Sequence, residues 1–354
     1  YVLSSLDVKG EYIPRFVDIQ TYITYELSEK SSISVLGNYS TNRFVMIPKT
    51  RSTSFGSIMQ TLSFDVYYEG QEKDRFNSFM GAVSYNYSPT RNLILKFIAS
   101  SFSSDEEITY DILSEYYINS VSKGSGKDTT INIGTGASLE HARNYLNSRI
   151  HSFEHKGIFL YGSNSNLRWG IKAQLESIDD AMKEWSVLDS TGYFLPNSDE
   201  TIEMDYVIKK NHNISPKRYQ AFVQNYNRTY SNSAEFDFTY GLRASYWDYN
   251  KELIISPRVS VTIKPYWKKD INFYIAAGLY NQPPFYKELK DFSGELYSEI
   301  KSQKSLHLVA GSDIHYLAWN RPFIFTTELY YKDLYQLIPY KVDNVQVQYI
   351  PSYD

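Results

Sequence analysis

The feature that most constrains this chain is a strict two-residue alternation carried over unusually long segments. From Ile255 onward, Ile255, Pro257, Val259, Val261 and Ile263 alternate with Ser256, Arg258, Ser260, Thr262 and Lys264. After "WKKD", Ile271, Phe273, Ile275, Ala277 and Leu279 alternate with Asn272, Tyr274, Ala276, Gly278 and Tyr280. Successive strand side chains point to opposite faces, so each segment has one apolar and one mostly polar face. The apolar face must meet either a protein core or lipid.

The pattern recurs along the chain and predicts strand pairs joined by tight turns. Residues 17–27 and 32–40 pair about "SEKSS", and 75–88 and 91–102 about "SPTR", with Pro89 in the turn. Residues 150–162 and 167–178 pair about "SNSN", 217–230 and 234–248 about "SNS", and 304–317 and 322–333 about "AWNR". The count is about 16 strands, many of about 10 residues or more, against about 5–6 for an ordinary soluble strand. A tilted strand crossing a bilayer needs about 9–11. Between the tight turns, residues 41–56, 103–110, 179–202 and 284–303 read as long polar loops. Short turns at one end and long loops at the other suit a membrane barrel. A soluble β-sandwich or propeller is the competing architecture.

Composition narrows the choice. Mean hydropathy is −0.43, and no apolar run reaches the ~18 residues of a membrane helix. That excludes helical spans and leaves a barrel open, because half of each barrel strand faces a wet lumen. The 34 tyrosines combine an apolar ring with a polar tip, which suits strands and lipid–water boundaries. Cysteine is absent, so thiolate chemistry and disulfides are excluded. A formal net charge of −4 without a basic patch argues against a nucleic-acid partner. No domain boundary is visible, so residues 1–354 read as part of one barrel domain. "SKGSGKD" (122–128) reads as a flexible loop, and the opening "YVLSSLDVKGEYIPRF" reads as mid-domain sequence.

Several stretches carry a family resemblance. "SPR" (256–258), "KP" (264–265) and "AAGLYNQPPFYKEL" (276–289) resemble the barrel signature of TonB-dependent outer-membrane receptors. "LGNYSTNRF" (36–44), "EGQEKDRF" (69–76), "EHARNYL" (140–146), "RWGIKAQLE" (168–176), "EWSVLDSTGY" (184–193) and "RPFIFTTELYYKDLYQLIPYKVDNV" (321–345) resemble the large receptors of Bacteroidota. The resemblance implies an outer-membrane barrel of 22 strands around an N-terminal plug, on which TonB pulls to import a scarce or large nutrient. The implied partners are outer-membrane lipid, the plug, TonB, and a surface lipoprotein or other outer-membrane subunits. The plug, the TonB box and the last strands are expected outside these residues. The alternative is a barrel of the same family serving as a non-transporting subunit of an outer-membrane complex.

Candidate site residues follow from position. Trp185, Asp189 and Tyr193 fall in the expected loop 179–202, where an aromatic and a carboxylate capture ligand or else pack the loop on itself. Tyr280, Gln282 and Tyr286 flank Pro283 and Pro284, which end a strand and aim the chain at the rim. Arg143, Arg243 and Arg258 are expected in the lumen or near the rim, paired with acids of the plug or of neighbouring strands. The acidic run "SSDEE" (103–107) reads as a solvated loop, with calcium as the alternative. The six histidines have no ligand spacing, and no catalytic constellation can be argued. Neither metal nor cofactor is expected.

Overall fold

The computed structural model describes residues 10–56, 61–122, 129–190, 204–343 and 346–351. The strands are β1 (Gly10–Ser28), β2 (Ser31–Pro48), β3 (Arg51–Gly56), β4 (Thr61–Thr90), β5 (Leu93–Ser122), β6 (Thr129–Tyr161), β7 (Ser165–Ser190) and β8 (Met204–Ile214). They continue with β9 (Lys217–Tyr230), β10 (Ala234–Trp247), β11 (Glu252–Pro265), β12 (Asp270–Gln282), β13 (Gln303–Ala318), β14 (Arg321–Tyr335), β15 (Tyr340–Asp343) and β16 (Gln346–Tyr349). Among the described residues, 14 of these 16 strands form one antiparallel sheet in the order β1-β2-β4-β5-β6-β7-β9-β10-β11-β12-β13-β14, with β3 on β4 and β8 on β7. The chain is all-β, an antiparallel meander of the membrane-barrel class.

Register shows why. Residues directly opposite in a ladder share a face. One row runs Ile23–Val35–Val83–Ala99–Phe153–Ala173–Tyr219–Tyr246–Leu253. A second runs Tyr240–Val259–Ala277–Leu308–Tyr331. Every apolar set read from the sequence in β10, β11 and β12 falls in register with the next. The resulting belt is bare: Ile23 is 61% exposed, Leu253 64% and Ile275 63%. A soluble core would cover these side chains, and an apolar surface spanning twelve strands has no place in water. The opposite face carries the polar set. The row Arg168–Gln224–Gly241–Arg258–Gly278–His307–Lys332 crosses seven strands there.

The tight turns lie close to where alternation placed them, at Glu29–Lys30, Trp319–Asn320 and the other hairpins. One shifts: Pro89 sits in a register irregularity of β4 between Tyr87 and Thr90, and the turn is Arg91–Asn92.

Three of the four expected long loops are corrected. Residues 41–56 belong mostly to β2 and β3, residues 103–110 lie wholly within β5, and residues 179–190 continue β7; 191–203 lie outside the described residues. Above the belt both faces of the sheet meet water, so the ladder continues without any need for apolar alternation. The run "SSDEE" is therefore ladder, with Asp105 opposite Asn77 and Asn147. Only 284–303 is largely irregular. Of "SKGSGKD", residues 123–128 lie outside the described residues. β8 and β9 share one register on β7 and are separated by Ser215–Pro216, so they form one long strand broken where proline cannot donate.

Candidate functional site

The segment from Pro283 to Ser302 leaves β12 and folds back across the polar face. Pro283 and Pro284 end the ladder, and residues Tyr286–Leu289 form a single 3-10 turn. The Glu288 carboxylate accepts a hydrogen bond from the Phe285 N–H at 2.7 Å, fixing its entry. Leu289 is fully buried with Trp247, Ile300 and Ile338, a small core in a sheet that otherwise has little. Asn250 donates to the Ile300 carbonyl at 2.9 Å, and the Ser302 N–H and hydroxyl donate to Glu252 at 2.8 and 2.7 Å.

The far side of the loop is pinned to β7 and β8. Asp180, 4% exposed, accepts from Tyr286 Oη at 2.7 Å and from Lys290 Nζ at 2.6 Å. Burial, then the hydrogen bond to Asp180, push the Tyr286 phenol well above its ordinary range. Lys210 pairs with Glu295, a His212 ring nitrogen meets the Gly294 carbonyl at 2.7 Å, and Lys287 meets Glu106 at 3.2 Å. Gly294 has φ +76, a conformation L side chains disfavour. A Cβ there would lie 3.2 Å from Lys210 Cγ, which makes glycine the residue that lets the loop sit on β8.

On the polar face lower down is a cavity of about 320 Å³ whose lining includes Phe222, Gln224, Thr239, Arg243, Ser256, Arg258, Ser260 and Tyr280. The Arg258 guanidinium lies 4.2 Å from the Tyr280 ring centre, and Tyr280 stacks on His307 at 4.4 Å. Arg243 lies 5.8 Å from the Phe222 ring. Among the described residues neither arginine has a carboxylate partner. Gly241 allows β9 to approach, since a Cβ there would lie 2.7 Å from the Val223 carbonyl oxygen.

Three sequence-derived candidates thus meet: Arg243, Arg258 and Tyr280. Gln282 closes the same strand opposite Gln303, exposed. Tyr286 is a loop pin. Trp185 and Asp189 lie in β7, not in a loop; Trp185 stacks on His141 at 4.8 Å, and Asp189 is exposed opposite Ala137. Tyr193 lies outside the described residues. Arg143 is in β6 and shares the phase of His141, which lower down is the phase of the apolar belt, so it does not point into the lumen. Its guanidinium pairs with Asp111 and holds that carboxyl below the usual range, with His141 at 2.6 Å from the same group. Sequence reasoning missed Asp180, Lys290 and Glu252, whose partners lie 50 to 110 residues away.

Above the belt, the polar face of β4 holds Glu72 and Asp74. Their ladder partners are Met46 and Tyr110, and Phe44 and Ile108, with no cation among them. Burial, with Asp74 adding to it, raises Glu72 to about 7, and burial raises Asp74 to about 6. A carboxyl that holds its proton better when folded makes stability fall as pH rises from its unfolded pKa, about 4, to its folded one. Amides of residues 108–112 should therefore exchange faster at pH 8 than at pH 5 after correction for intrinsic rates. Glu72→Gln should remove most of that difference; an unchanged difference would place its origin elsewhere.

No family model and no curated protein matches this chain. Solved structures do. The copper transporter OprC matches at 11% identity and TM-score 0.40, over 97% of this chain and 57% of that one. The ferric enterobactin receptor PfeA of Pseudomonas aeruginosa matches at 9% and 0.42, over 94% and 54%. The outer membrane transporter YddB of Escherichia coli matches at 9% and 0.45, over 96% and 50%. The chain thus spans 50–57% of the length of these three solved chains, and the barrel assignment rests on the belt and the strand lengths.

Proposed function

We propose that this chain is barrel wall from an outer-membrane receptor of the TonB-dependent kind, importing a scarce or large nutrient. The observation that carries this reading is the bare apolar belt backed by a polar face onto which a folded rim loop reaches. In hydrocarbon every backbone group must be paired, and the edges β1 and β14 are exposed along nearly their whole length. A larger closed barrel satisfies them. The basic rows of the polar face, with Arg243 and Arg258 lacking carboxylate partners among the described residues, suit an acidic plug surface as the partner in the lumen.

Ligand selection belongs at the rim-loop end, with Tyr280, Gln282 and Tyr286 as candidate contacts; Trp185 and Asp189, in the outward phase of His141 on β7, are set aside. Aromatic surface with a few polar groups suits a neutral or mixed ligand. In the full-length receptor, Tyr280→Ala with Gln282→Ala should lower ligand uptake while barrel yield and heat-modifiable migration stay normal. Uptake equal to the native protein moves the site elsewhere. On intact cells an amine reagent should modify Lys287 and spare Lys268; the reverse pattern would invert the orientation.

A further inference from the structure

A cavity of about 560 Å³ lies on the belt side of the sheet, above the belt, within the roughly 300–1,000 Å³ range of ligand sites. Its floor is the backbone of β5 to β8. Its central row, in register across five strands, is Asn77–Asp105–Asn147–Asp179–Asn213. Carboxamides and carboxylates alternate. Asn147 donates to Asp105, Asn213 donates to Asp179, and Thr41 donates to Asn77 at 2.7 Å. Those bonds orient the row and leave the second oxygen of each aspartate without a partner among the described residues. Tyr145, 47% exposed, stands in the next row up, between Glu107 and Ala181.

We propose that this surface binds neutral sugars, and that their source is the headgroup of a glycolipid in the adjoining leaflet. A sugar hydroxyl both donates and accepts, which an array of carboxylates and carboxamides matches, and a sugar's C–H face suits the Tyr145 ring. One arginine, Arg75, stands against three carboxylates on this face, Asp105, Glu107 and Asp179, so an anionic ligand is disfavoured. Going up the outward phase of β6, the side chains are Phe153 in the apolar belt, then the exposed His151, then the exposed Arg149, then Asn147 of the asparagine–aspartate row, with Lys217 in the row of His151. Successive outward rows are about 6–7 Å apart along the strand. Along β6 the order is thus apolar, basic, then hydrogen-bonding, the order of acyl chain, phosphate and sugar. The assignment rests on the barrel reading for its orientation.

The test is calorimetric titration of the full-length protein in detergent with an intact phosphorylated glycolipid bearing neutral hexoses, and with its released neutral oligosaccharide. Asp179→Ala and Tyr145→Ala should each weaken both ligands by about tenfold or more, with heat-modifiable migration as the check on folding. Asn211→Ala, at the rim of the same cavity, serves if either fails to assemble. Arg149→Ala should weaken the intact glycolipid alone. Intact glycolipid binding far better than the oligosaccharide assigns the membrane source; equal binding assigns a free glycan to the same chemistry. Neither ligand binding, or variants binding as the native protein does, overturns the proposal, as does saturation by calcium alone, which marks a cation site. Protein that stays soluble without detergent would sink the barrel reading instead.

Discussion

Arginine at Phe238 or Val261 is expected to impair assembly by about 2–4 kcal/mol, the cost of a cation near the middle of the lipid face. Phe238 and Val261 are ladder partners in β10 and β11, in the phase of the exposed Tyr240 and Val259. One residue along, Thr262 lies opposite Asp237 and Tyr274 on the polar face. Arginine there, or at Thr239, keeps water and gains a nearby carboxylate, so assembly should stay close to native. The measurement is the folded fraction in a urea titration followed by heat-modifiable migration. Equal losses on both faces would falsify the assignment of the belt to lipid.

Asp180→Ala should release the rim loop. Asp180 and Lys290 have side chains 4% and 16% exposed, and removing one partner of a buried pair costs about 3–5 kcal/mol. Taking the low end, about 3 kcal/mol is on the order of a hundredfold in loop opening. Trypsin cleavage at Lys287 and Lys290 should accelerate by that order, with barrel migration unchanged. Asp180→Asn keeps an acceptor for Tyr286 and should fall between. Cleavage at the native rate would show that the Trp247–Leu289–Ile300 core holds the loop unaided.

The belt was legible because lipid imposes a rule on every second residue, and Val259, Val261 and Ile275 obey it. The wall above the belt was not, because water on both faces imposes none. Residues 93–122 looked broken at "SSDEE", yet they contain neither glycine nor proline, the one signal that would have argued for an unbroken strand. Prolines 283 and 284 gave the rim loop away for the same reason. In the sequence Arg258 and Tyr280 read separately, as a lumen arginine and a rim aromatic; they meet because Arg258 lies opposite Gly278, two residues from Tyr280 on the same face. Asp180 could not be found, since its value comes from Tyr286 and Lys290, more than 100 residues distant.

The strands differ greatly in length around the sheet. β5 has 30 residues and β10 has 14, 16 fewer, a difference of about 50 Å of strand, or about 35 Å of height at a 45° tilt. The mouth is therefore cut on a slant, with a high parapet along β4 to β7 and a low sill along β10 to β14. The rim loop rises from the sill and leans on the parapet. If the chain imports as proposed, an incoming solute would approach sideways over the low edge and meet the high wall as a backstop, so selectivity would act on whatever crosses the sill long before it reaches the waist.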